Sequence, residues 1–171
     1  IGTPNTWNAF GKTLHTQITD TLIAHGARFC AVGAELEAGR VGNLELIAWS
    51  EDTEVDAIQS MDIGVMPLPD TPWARGKCGY KLIQYMACGL PVVASPVGVN
   101  KEIVEHGVNG FLAESDAEWR TAIEALLSDA DLRRRMGAAG RKKVEDSYSL
   151  QVWGPRVAQM LRRVADESRK A

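Results

Sequence analysis

"GKCGYKLIQYMACGLPVVAS", residues Gly76 to Ser95, sets glycines and lysines ahead of a helical pattern, then a turn, then a β-branched run. Leu82, Ile83, Met86 and Ala87 share one face of the predicted helix. Cys88-Gly89-Leu90-Pro91 ends it. Pro91-Val92-Val93-Ala94 then reads as a short buried strand, with proline tolerated at its first position because no ladder hydrogen bond is lost there. Just upstream, Ile63-Gly64-Val65-Met66 reads as another strand, ended by Pro67. Strand, loop, helix and strand in that order form a unit of a parallel sheet.

Working outward, the same alternation continues. Phe10, Leu14, Ile18 and Leu22 form an apolar helix stripe, with Gly26 as its C-cap. Phe29-Cys30-Ala31-Val32, ending at Gly33, and Leu44 to Ala48 read as strands. Ser50 is predicted to cap a helix that has Glu51, Asp52 and Glu54 in its first turn and Val55 and Ile58 facing inward. Downstream come a short helix around Lys101 to Glu105 and a strand at Gly110 to Leu112. Ser115-Asp116-Ala117-Glu118 is a capping box. It opens a helix that buries Trp119, Ala122, Ile123, Leu126 and Leu127. Asp129 starts the next, with Leu132, Met136 and Val144 inward. A last segment from Ser149 carries Trp153, Val157, Met160, Leu161 and Val164 and is predicted to kink at Gly154-Pro155.

This order predicts an α/β fold: a Rossmann-like three-layer sandwich, with a central parallel sheet and helices on both faces. Ligands bind such sheets beyond the carboxyl ends of the strands. The candidate loops are Thr3 to Asn8, Gly33 to Gly42, Trp49 to Glu51, Pro67 to Tyr80 and Ser95 to Asn100.

With 171 residues and 45% hydrophobic content, the chain suits one domain with a filled core. A net charge of -3 argues against nucleic-acid binding. The clusters Arg133 to Arg135, Arg141 to Lys143 and Arg162-Arg163 read as solvated helix faces. Cys30, Cys78 and Cys88 lack metal-type or disulfide-type spacing, which fits a reduced, cytoplasmic setting. His15, His25 and His106 match no metal-ligand spacing, and no metal is expected. No apolar run is long enough to span a membrane, and no signal peptide is seen. Ile1-Gly2-Thr3-Pro4 reads like the end of a strand, so the chain is expected to be part of a longer protein.

The longest candidate loop, Pro67 to Gly79, runs into a helix whose first free N–H groups lie near Gly79, Tyr80 and Lys81. Those donors and the positive end of the helix dipole suit an anion. Gly76 and Gly79 permit close backbone approach, and Arg75, Lys77 and Lys81 add charge. An ordinary surface loop with a solvated basic tip fits the same residues, and the pattern leaves both open. Gly2-Thr3-Pro4 is a second strand-to-helix turn, so two turns at one sheet edge could close on a diphosphate. Asp62 and Asp70 suit capping and turn formation. Trp49 and Trp73 lie in loops at that edge, for packing or for stacking on a base.

"DIGVMPL", "YKLIQYMACGLPVVASPVG" and "EIVEHGVNGFL", in this order, resemble the C-terminal half of a family-4 (group 1) glycosyltransferase of the GT-B fold. The resemblance runs over nearly the whole chain. It implies that residues 1–171 are the nucleotide-sugar donor domain of a retaining enzyme, with an N-terminal acceptor domain elsewhere. It also implies that the donor is the partner, that no cofactor is needed, and that the whole enzyme associates peripherally with a membrane. In the family an E-x7-E motif contacts the donor, and its second Glu binds the ribose. Here that position is Gln84, and the first Glu falls on Gly76. The family's glycine before the helix matches Gly79, and its diphosphate-binding amides match Tyr80 and Lys81. The family's Arg and Lys, which neutralise the leaving diphosphate, align near Thr3 and Asn8, so Lys77, Lys81 or Arg75 must compensate. The catalytic candidates are therefore Lys77 and Lys81. The donor-binding candidates are Gly2, Thr3, Pro4, Trp49, Gly79, Tyr80, Lys81 and Gln84. Two alternatives stand beside this: a GT-B sugar-nucleotide epimerase, and a non-catalytic nucleotide-binding or interaction module.

Overall fold

A computed structural model describes residues 2–34 and 39–168 of the chain. The first helical turn, α1 (Pro4–Thr6), is capped by Thr3, whose hydroxyl accepts the Thr6 N–H at 3.4 Å. A π-helical turn, Trp7–Gly11, leads into α2 (Lys12–Ala24). The predicted loop from Thr3 to Asn8 is therefore helical, because a threonine cap and a proline at the first helical position start the helix early. Leu14, Ile18 and Leu22 are buried as the stripe predicts, and the candidate loop beginning at Thr3 shrinks to the turn around Gly2 and Thr3.

Three strands follow: β1 (Phe29–Val32), β2 (Gly39–Val41) and β3 (Leu44–Ile47). β1 pairs with β3 in parallel, Phe29 opposite Leu44, and β2 pairs with β3 antiparallel, Val41 opposite Leu44. β2 corrects the reading of Gly33 to Gly42 as loop. All three of its residues are exposed, so no alternation marks it, and its hairpin turn is the pair Gly42-Asn43, with Gly42 at φ +59°. Part of that loop, residues 35–38, lies outside the described residues.

α3 (Glu54–Gln59) starts at Thr53, later than the predicted Ser50 cap; the Ser50 and Thr53 hydroxyls instead bond each other at 2.6 Å. Ile58 is buried as expected, but Val55, in the first turn, is exposed. The second half comprises β4 (Gly64–Met66), α4 (Pro72–Arg75), α5 (Tyr80–Ala87), β5 (Val92–Ala94), α6 (Asn100–Ile103) and β6 (Gly110–Leu112). These strands form a parallel sheet in the order β4-β5-β6.

The strands thus make two three-stranded sheets, separated between β1 and β4. The Phe29 and Gly33 amides bond to the β3 side of β1, and the Gly64 amide and Met66 carbonyl bond to the β5 side of β4. In a parallel strand alternate residues turn their backbone groups the other way. Cys30, Val32, Ile63 and Val65 therefore face the gap, where the Val32 carbonyl accepts the Gly2 N–H at 2.9 Å. Residues of both strands line two cavities along it, about 90 Å³ toward the carboxyl ends and about 330 Å³ toward the strand starts.

Helices cover both faces. α2 and α7 (Asp116–Ser128) pack over one core with Phe29, Ala31 and Val93. α5, α6 and α8 (Ala130–Ser147) pack over the other with Val92 and Ala94. α8 sits tightly against α5: a Cβ on Gly137 would stand 1.9 Å from the Gly89 carbonyl oxygen, and one on Gly140 2.9 Å from Met86 Cγ. The capping box at Ser115 and Glu118 forms as predicted, and Asp129 caps α8 through the Leu132 N–H at 2.8 Å.

The predicted kink at Gly154-Pro155 is displaced. The chain turns at Tyr148 and Ser149, and α9 (Leu150–Ser168) runs unbroken through Pro155. The Trp153 indole donates to the Ser147 carbonyl at 2.7 Å across this turn and fixes the bend there. None of the residues of α9 is buried. Its stripe of Trp153, Val157, Met160, Leu161 and Val164 is 44–66% exposed. Among the described residues no helix is long and apolar enough to cross a membrane.

Candidate anion site at the start of α5

The carboxyl edges of β1 and β4 meet the start of α5. Gly79, at the N-cap of α5, has φ +69°, a conformation costly for any residue with a Cβ. A Cβ there would lie 2.3 Å from Ile103 Cδ1 and 3.2 Å from Val99 Cγ1. The glycine therefore serves the left-handed turn and the contact with α6. It pins the helix start, and the amides of Tyr80 and Lys81 belong to the first turn, where N–H groups have no acceptor within the helix. The Tyr80 side chain is exposed.

Lys81 and Lys77 line the smaller cavity together with Gly2, Thr6, Trp7 and Tyr85. The Lys81 ammonium lies 3.9 Å from the place a Cβ on Gly2 would occupy, so the side chain of Lys81 reaches the turn at Gly2. Burial and then the neighbouring Lys77 push the Lys81 pKa below its ordinary value. Among the described residues neither lysine pairs with a carboxylate. Two cations that repel each other in a half-buried cleft are stabilised by an anion between them.

The remaining candidates are more scattered. Arg75 is engaged elsewhere: its guanidinium forks onto Asp70 at 2.6 and 2.9 Å, which holds the Asp70 carboxyl below its usual range. Thr3 and Pro4 are exposed at the rim, and the Thr3 hydroxyl is used in the helix cap. Trp49 is half exposed beside Gly33, at the end of β3, and is not among the residues lining the cleft. Gln84 stands one turn beyond Lys81, and its Nε2 donates to Glu54 Oε1 at 2.9 Å. Glu54 was legible only as an acid in a helix's first turn. Nothing in the spacing pairs it with a residue 30 positions on. Its charge also adds to the burial that raises the Tyr85 phenol pKa. Trp73 is exposed, with the Lys77 ammonium over its ring.

The model of the family "Glycosyl transferases group 1" matches residues 8–129. The chain belongs to this family. Its relatives include N-acetyl-alpha-D-glucosaminyl L-malate synthase of Bacillus anthracis, 26% identical over 129 residues, which are 74% of this chain and 32% of the relative. Spore coat protein SA of Bacillus subtilis is 34% identical over 87 residues, 49% of this chain and 22% of the relative. The chain thus spans a third or less of the length of these two. Among solved structures, a glycosyltransferase of Rickettsia africae superimposes with a TM-score of 0.72 at 15% identity, covering 91% of this chain and 44% of that one. Anabaena HepE, in complex with UDP and glucose, gives 0.61 at 22% identity over 71% of this chain and 32% of that one. The group 1 chain thus has the fold of one part of a GT-B glycosyltransferase.

Proposed function

We propose that this chain is the donor-binding domain of a retaining glycosyltransferase and holds a nucleoside-diphosphate sugar at the start of α5. The observation that carries the reading is that Lys77 and Lys81 line one cleft, Lys81 beside Gly2, with no carboxylate pairing either among the described residues. Sugar transfer leaves negative charge on the departing diphosphate. Two ammonium groups and the fixed amides of Tyr80 and Lys81 would stabilise that charge as it develops. Gly79 sets the direction of those amides. Gln84 and Glu54 face the ribose, where a carboxylate accepts hydroxyl protons. Trp49 flanks the base, and Thr3 and Pro4 form the rim on the side of Gly2. The lysines do the neutralising, and neither metal nor cofactor has a part in this scheme.

UDP is the first nucleotide to try, since HepE, which shares the fold, was solved with it. In this reading the acceptor is bound by an N-terminal domain of the whole enzyme, and the open stripe of α9 faces that domain. The enzyme works in the cytoplasm, where its free cysteines stay reduced, and meets the membrane only peripherally.

Calorimetric titration of the chain with UDP and with uridine tests the reading. UDP should bind more tightly, and Lys81→Met should remove most of the difference. Equal binding of both ligands, unchanged by Lys81→Met, would overturn the phosphate assignment. Assaying the full-length enzyme on a panel of nucleotide sugars, with the anomeric configuration of the product read by NMR, tests transfer and retention. Binding without transfer by the full-length protein would leave a nucleotide-binding module.

A further inference from the structure

We infer that Trp73 is a positioning residue for Lys77: its indole holds the ammonium at the cleft without neutralising it. The inference rests on the diphosphate reading above. Lys77 Nζ lies 3.9 Å from the centroid of the Trp73 ring. Trp73 is 67% exposed, so core packing does not account for it.

The turn that carries both residues is firmly built. The Thr71 hydroxyl accepts the Ala74 N–H at 3.2 Å, Pro72 opens α4, and Ala74 is buried. The Lys77 N–H donates to the Ala74 carbonyl at 3.1 Å, which keeps the chain coiled past the end of α4. Trp73 and Lys77, four residues apart, therefore lie on one face. Gly98 packs on the backbone of Arg75, where a Cβ would come within 2.6 Å of the carbonyl oxygen.

The nearest acid in sequence, Asp70, is occupied by Arg75 at both oxygens. Among the described residues, Lys77 is thus restrained by the quadrupole of a ring and not by a countercharge. A carboxylate partner would have to be displaced by an incoming diphosphate. A ring keeps the ammonium in place and leaves its charge intact. The side-chain freedom that a lysine loses on binding is then partly lost beforehand, which favours binding.

The test is calorimetric titration of the 171-residue chain with UDP and with uridine, comparing Trp73→Ala, Trp73→Phe, Lys77→Met and the double variant Trp73→Ala/Lys77→Met. Trp73→Ala should weaken UDP binding about three- to fivefold, leave uridine binding unchanged, and be largely rescued by Trp73→Phe. In the Lys77→Met background, Trp73→Ala should cost nothing more. An equal loss in that background, or a matching loss for uridine, overturns the inference and makes Trp73 a direct contact or a support of the turn. If Lys77→Met weakens UDP but Trp73→Ala does not, the role of Trp73 fails while the phosphate site stands. If Lys77→Met itself has no effect, the phosphate role of Lys77 fails and the inference with it. Thermal melts of each variant separate these outcomes from unfolding.

Discussion

The side chain of Gln84 donates from Nε2 to Oε1 of Glu54 over 2.9 Å, and so ties α5 to α3, which follows β3. A carboxylate is thereby held beside the Gln84 amide. The amide orients the acid, and the acid keeps oxygen lone pairs for other donors.

If Glu54 accepts ribose hydroxyls, Glu54→Ala should weaken UDP binding by about 1.5–3 kcal/mol, the range for a hydrogen bond to a charged group. The same substitution should cost much less with 2′,3′-dideoxy-UDP, which lacks the donors. Gln84→Glu should also weaken binding, because two carboxylates at that distance disfavour ionisation of both. Equal losses for UDP and its dideoxy analogue would show that Glu54 supports the fold and not the sugar.

Lys81 gives the site a pH signature. Its folded-state pKa lies below the ordinary 10.5, first through burial and then through Lys77. Diphosphate affinity should therefore hold on the acid side of that lowered value and fall as pH rises through it. Lys77→Met removes the like charge, so Lys81 should titrate at higher pH and the fall should move up with it. For stability the sign is opposite: the strain of a buried charge is fully present below the lowered pKa and is relieved as pH rises toward 10.5. Affinity that falls at the same pH in both proteins would mean that another group controls it.

Gly79→Ala is predicted to act on folding. The added Cβ meets Ile103 Cδ1 at 2.3 Å, and the backbone there is left-handed. Overpacking of this kind costs about 1–3 kcal/mol, to be read from the shift of a urea unfolding midpoint. The paired change Gly79→Ala/Ile103→Val, which clears the colliding methyl, should recover part of it. A stable Gly79→Ala variant with lost UDP affinity would instead return the glycine to the ligand.

The fold was largely legible because burial writes itself into periodicity. Leu14, Ile18 and Leu22 recur on one face, and Ser115 and Glu118 announce a helix start by chemistry alone. Exposed β2 has no such signature, and Val55 shows that an apolar residue at helical spacing need not be covered. The separation of β1 from β4 depends on ladder partners, which no local pattern encodes. At the site, the helix start and its two lysines were readable, since loop, glycine and charge are contiguous. The contacts of Glu54 with Gln84 and of Lys77 with Trp73 were not, because each depends on where two side chains are placed in space.

The exposed stripe of α9 yields the last prediction. Met160 is 56% and Leu161 66% exposed, whereas Leu82 is fully buried. A charge placed on an open surface changes little, so Met160→Asp and Leu161→Asp should each shift the stability of this chain by no more than about 0.5 kcal/mol. Leu82→Ala should cost about 2–5 kcal/mol, because it removes buried surface and leaves a cavity. Urea unfolding of the three variants measures this directly. In the longer enzyme the same two aspartates should be costly, because there the stripe is proposed to lie against the acceptor domain. Equal tolerance in both proteins would leave α9 free of that domain, and a large loss already in the 171-residue chain would mean that the stripe packs on its own core.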